Sequence, residues 1–132
     1  MKRDEYQLIV QELKKKKLPA EVKQTVLTLL DKKAEKISIV KLKGVFDLTD
    51  FLVICQGNSS RHNKALADAV IDSLRRECRM RPFGTEGESH AEWILLDYVN
   101  FVVHIFDPHL REKYSLEKMW MDAKHYRFYP GR

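Results

Sequence analysis

Long apolar runs are missing. Apolar residues make up 44% of the 132, yet no stretch approaches the ~20 needed to span a bilayer. The first residues also lack the apolar core of a secretory signal, so a soluble cytoplasmic protein with no membrane partner is expected. Cysteine is scarce: Cys55 lies inside an apolar run and Cys78 in a helical pattern, which suits a reducing compartment better than a disulfide scaffold. Neither has a C-x-x-C partner. No two of His62, His90, His104, His109 and His125 show the i, i+4 spacing of H-E-x-x-H, so no metal site is expected. The G-x-G-x-x-G and G-x-x-x-x-G-K-[ST] spacings are absent too, which removes the dinucleotide and P-loop readings, and no cofactor is expected.

Charge is present but unevenly spread. The net charge is +5, and residues 1–36 hold ten Lys/Arg against six Asp/Glu, whereas residues 37–132 are close to balance. The basic character centres on Lys14, Lys15, Lys16 and Lys17. Such a run is usually a solvated face, and its functional reading is attraction to RNA phosphates. It lacks the Arg and aromatic interleaving that stacking on bases needs, so direct sequence reading of nucleic acid is not expected.

Along the chain, residues 4–17 can form a charged helix that Leu18-Pro19 breaks. Val22, Val26, Leu29 and Leu30 give a second, amphipathic helix. Ile37 to Leu42 alternates as a strand, with Ile37 and Ile39 on one side. Phe51-Leu52-Val53-Ile54-Cys55 is apolar on both faces, as a strand covered on both sides should be. Gln56 to Ser60 leads into a helix reaching about Met80, with Ser59 or Ser60 as its cap and a stripe through Leu66, Val70 and Leu74. The runs Trp93 to Tyr98 and Phe101 to Phe106, joined at Val99-Asn100, read as a β-hairpin. Pro108 ends it, and Leu116, Met119 and Trp120 fall at helical spacing from Tyr114 on. Residues from His125 onward show no periodicity and are expected to fray. The class is α/β or α+β: one domain with a small mixed sheet and helices packed on it. It divides into a basic helical extension (1–18), a domain (19–122) and a C-terminal tail (123–132).

Chemistry is harder to find. The Gly57-Asn58-Ser59-Ser60 loop, between a buried strand and a helix, is a place where α/β proteins bind phosphate. A metal-dependent phosphoryl transferase would need paired acids on an adjacent strand, and the nearest pair, Asp68 and Asp72, lies within the following helix. His104 reads as a sheet-face histidine with a satisfied ring nitrogen, Cys55 as a buried small hydrophobe, and Asp47 and Asp50 as turn or helix caps. Nothing assembles nucleophile, base and oxyanion donor, so an enzyme is not expected. Trp120 ends a helical stripe and reads as core, whereas Trp93 follows His90 and Glu92 and is placed for a partly wet edge. Trp93 and Tyr114 are the first candidates for a binding face.

Several segments together resemble the ribosomal silencing factor, or Iojap-related, family. They are Asp47 to Cys55, Gly57 to His62, Glu86-Gly87-Glu88, Trp93 to Tyr98, Val102-Val103-His104, Arg111, and Tyr114 to Trp120, in the family's order and spacing over roughly residues 20–122. The resemblance implies a sheet like that of nucleotidyltransferases without their active site, and a homodimer in isolation. It also implies binding to ribosomal protein fourteen of the large ribosomal subunit, which sterically blocks small-subunit joining and lowers translation when nutrients are scarce. The family's binding tryptophan and tyrosine fall on Trp93 and Tyr114, and helical proximity extends the patch to Leu116 and Lys118. The basic N-terminus could add a contact to ribosomal RNA. Where the family usually has Gly-Asp at the hairpin turn, this chain has Val99-Asn100, and since valine disfavours φ > 0 the turn type is expected to change. Two other classes stay in view: a nucleotide-binding enzyme of nucleotidyltransferase-like fold, and an RNA-binding ribosome-assembly accessory protein.

Overall fold

The run Phe51–Gln56 has no polar side, and in the computed structural model it is buried at every position. The structure describes residues 2–44 and 48–129. In chain order its elements are α1 (Arg3–Lys15), α2 (Ala20–Asp31), β1 (Glu35–Lys41), β2 (Phe51–Gln56), α3 (Ser60–Cys78), β3 (Gly84–Glu86), β4 (Trp93–Asp97), β5 (Phe101–Phe106), α4 (Pro108–Tyr114), α5 (Leu116–Met119) and β6 (Lys124–Phe128). The strands form one six-stranded sheet in the order β3-β4-β5-β2-β1-β6. β2 and β5 are parallel, and the other neighbours are antiparallel. This is the mixed α/β sheet that the patterns imply.

Strand side chains alternate between faces, so each strand feeds two layers. Ile37, Ile39, Val53, Ile94, Val103 and Ile105 point to the main core, where Val22, Val26 and Leu29 of α2 and Leu66, Val70 and Leu74 of α3 cover them. α1 joins this layer through Ile9 and Leu13, both buried. Val40, Leu42, Leu52, Ile54 and Phe106 point the other way, under a thinner cover that includes Trp93, Leu110, Leu116 and Trp120. Those covering residues are only half-buried. One face of the sheet is therefore sealed by long helices, and the other is partly open.

Three expectations need correction. The residues from Tyr114 on do not make one helix: α4 ends at Tyr114, and Ser115 takes a left-handed φ of 44° before α5 starts. The Ser115 hydroxyl donates to the Glu112 carbonyl at 2.6 Å, a local bond that competes with helix continuation. Over residues 125–128 the expected fraying is also not what forms, because Lys124–Phe128 pairs antiparallel with β1, while residues 130–132 lie outside the described ones. As an edge strand with only Phe128 buried, it carries no apolar alternation to read. Finally, Val99 does accept a positive φ, 71°. The Tyr98 N–H donates to the Phe101 carbonyl at 2.9 Å and the Asn100 N–H to the Tyr98 carbonyl at 2.8 Å, so the connection is a tight two-residue turn.

Candidate functional site

Trp93 opens β4 opposite Phe106 of β5, beyond the last residue that β3 pairs. Its backbone is held by the preceding loop: Gly87 has φ 80°, and a Cβ there would collide with the Trp93 carbonyl. The Glu86-Gly87-Glu88 segment therefore needs glycine both for its conformation and for this close approach.

The indole N–H of Trp93 donates to Nδ1 of His104 at 3.0 Å. Its ring lies 4.8 Å from Phe106 and 5.0 Å from Tyr114 between centroids, both tilted. Since Nδ1 accepts, the neutral His104 must carry its proton on Nε2. Burial lowers the His104 pKa to about 4, so the ring is uncharged at neutral pH. As expected, it is a sheet-face histidine with a satisfied nitrogen. Cys55 is likewise fully buried, and burial, partly offset by the Arg111 charge, raises its thiol to about 12. It is a small hydrophobe here.

Tyr114 leaves 46% of its surface open. Leu116 is half-buried against the same thin layer as Trp93. Lys118 is exposed and turns elsewhere, lining a cleft of about 580 Å³ with Lys36, Gln56, Arg111 and Arg127. The structure thus brings Trp93, Tyr114 and Leu116 to one face and sets Lys118 at its flank. Met119 and Met121, 63% and 75% exposed, add adaptable apolar surface nearby in the chain. Trp120 is half-buried against the thin layer rather than deep in the core.

Sequence reasoning gave Arg111 no role, and it proves to be the clamp under this face. Its guanidinium donates to Glu117 at 3.0 and 3.2 Å and to the Lys36 carbonyl at 2.6 Å, and it reaches Gln56 at 3.3 Å. Glu117 also accepts from the Ser38 hydroxyl at 2.9 Å. Burial would raise the Glu117 pKa, but the bonds and charge of Arg111 outweigh it and hold the carboxyl below its ordinary value. The available signal was Ser38, a small hydroxyl between Ile37 and Ile39. The pairing itself was hidden, because residues six apart meet only when the helix breaks between them.

The phosphate-loop candidate is occupied by its own side chains. Ser59 caps α3 by accepting from the His62 N–H at 3.0 Å. His62 accepts from the Asn58 N–H at 3.1 Å and donates to the Lys32 carbonyl at 2.9 Å. A Cβ on Gly57 would collide with the Asn63 amide. Asp68 pairs with Lys64, and Asp72 with Arg75 and Arg76, so the two acids do not converge. Asp47 lies outside the described residues. Asp50 donates its N–H to the Asn100 carbonyl at 3.0 Å. Among the described residues no group of three His, Cys, Asp or Glu is placed to hold a metal, and no helix is long and apolar enough to cross a membrane.

A family model described as "Ribosomal silencing factor during starvation" matches residues 15–130. A ribosomal silencing factor from Halalkalibacterium halodurans is 38% identical over 93 residues, covering 70% of this chain and 79% of that one. The mouse protein named "Mitochondrial assembly of ribosomal large subunit protein 1" is 29% identical over 102 residues, covering 76% of this chain and 45% of that one. A crystal structure of a protein from Chromobacterium violaceum has a TM-score of 0.71 at 30% identity, covering 84% of this chain and 85% of that chain.

Proposed function

The chain belongs to the ribosomal silencing factor family, and on that premise we propose that it is a translational repressor. It binds the large ribosomal subunit through ribosomal protein fourteen and physically blocks docking of the small subunit, lowering translation under nutrient limitation. Trp93, Tyr114 and Leu116 make the contact, with Lys118 at its edge. The protein acts by occupying space, not by catalysis. It works in the cytoplasm and is a homodimer when free.

The observation that carries this reading is the Trp93–Tyr114 pair on the thinly covered face of the sheet. An aromatic ring half open to solvent, backed by a second ring that a hydrogen bond and a buried histidine hold in place, is a preorganised anchor. A contact of ordinary size, about 800 Å² per partner, needs only one or two such anchors. The names of the relatives support a ribosomal, large-subunit setting.

The test is a subunit-joining assay with purified subunits, read by sedimentation. Added protein should leave large subunits unpaired, and Tyr114→Ala should weaken that effect at least tenfold, the usual scale of a hot-spot ring. Normal joining at saturating wild-type protein would refute the reading.

A further inference from the structure

Cations that are far apart in sequence converge on the free edge of the sheet. Lys16, just past α1, and Lys124 of β6 both lie over the Tyr126 ring, 5.4 and 5.2 Å from its centroid. Arg127 lines a cleft of about 410 Å³ with Lys16 and Tyr126. It also lines the cleft that Lys36, Arg111 and Lys118 share. Lys36 reaches that cleft from an irregularity in β1, where its φ is 48° and the register with β2 shifts. The carboxylates in the two clefts are Glu12, Glu112 and Glu117, and Arg111 already engages Glu117. The edge therefore carries an excess of positive charge, gathered from both ends of the chain and from the segments between them.

We propose that this band around β6 holds the phosphate backbone of RNA, namely the ribosomal RNA beside the docked protein; this rests on the large-subunit reading. Lysine on an edge strand also discourages strand pairing, which would account for Lys124 and Arg127. It does not account for Lys16, Lys36 and Lys118, which come from other elements to the same edge. These two clefts are lined mostly by charged and polar side chains, unlike the more apolar cleft beside them along Leu30, Ala34, Phe128 and Tyr129. Phosphates spaced along a strand match cations spread along an edge, and the contact is independent of base sequence.

The test compares wild type with Lys16→Gln/Lys124→Gln/Arg127→Gln, and with a charge-conserving Lys16→Arg/Lys124→Arg/Arg127→Lys control, all checked for native circular dichroism. Binding to a fluorescein-labelled fifteen-nucleotide oligouridylate and to large subunits is measured across a potassium chloride series. The neutralised variant should lower the slope of log K against log salt by about 2, as expected for three lost phosphate contacts, and the control should keep it. An unchanged slope on large subunits overturns the proposal. So does weakened subunit binding by the variant when wild type ignores the oligouridylate, which would make an acidic protein surface the partner. The oligouridylate arm reads the band even if the protein fails to bind subunits, so the two failures are distinguishable.

Discussion

Val99 sits at φ 71° with a branched side chain that is 59% exposed. Left-handed backbone crowds a Cβ-branched residue, and such strain persists only where the surroundings over-determine it. They do: the Val99 N–H donates to the Asp97 carboxylate at 2.8 Å, and the Val99 carbonyl accepts from the Thr49 hydroxyl at 2.9 Å. Val99→Gly should raise stability by about 1 kcal/mol, strain relief less the entropy that glycine brings to the unfolded chain. A urea titration with no rise in midpoint would contradict that. His104 supplies a pH dependence. Folding lowers its pKa from 6.5 to about 4, so the native state binds fewer protons than the unfolded chain between those values. The stability it contributes is complete above pH 6.5 and is lost as pH falls toward 4, up to about 3 kcal/mol. His104→Asn keeps an acceptor for Trp93 and removes the titration, so its urea midpoints should fall less over that window; an unchanged pH profile would rule the assignment out. Single residues were unevenly legible. The partly wet setting of Trp93 could be read from the sequence, and so could the bland role of Cys55. That Val99 would accept strain could not, because the bonds that impose it come from Thr49 and Asp97.

At the scale of elements, α4 and α5 are too short to hold themselves in place, and neither buries a residue fully. Isolated helices of this length do not persist in water. The Arg111–Glu117 pair ties them to β1 and β2, with side chains only 10% and 23% exposed. Removing one partner of such a pair leaves a poorly solvated charge behind. Arg111→Ala should therefore cost about 3 kcal/mol and loosen the Tyr114 ring against Trp93. Chemical denaturation gives the first effect, and near-ultraviolet circular dichroism the second; an unaltered aromatic signal would show that the clamp does not position the site. Elements with a strong period were readable from sequence: α2, α3 and the β4–β5 hairpin follow their apolar spacing. The α4–α5 break and β6 were not. One depends on a single serine turning left-handed, and the other draws its stability from pairing with β1 rather than from its own pattern.

For the whole molecule, the two sides of the sheet divide the work. Three helices seal one side, where most of the core lies, while the other side keeps a thin cover and open rings. That asymmetry lets a small domain stay folded while leaving an aromatic face for a partner. The layering followed from β2 being apolar throughout, but which side would stay open did not, since it depends on how little α4 and α5 cover. The most direct measurement of the central claim is photo-cross-linking from position 114, with benzoylphenylalanine replacing Tyr114, on purified large subunits, followed by mass spectrometry. The account predicts a cross-link to ribosomal protein fourteen that competing wild-type protein suppresses. A suppressible cross-link to a different ribosomal component, with none to that protein, would contradict it.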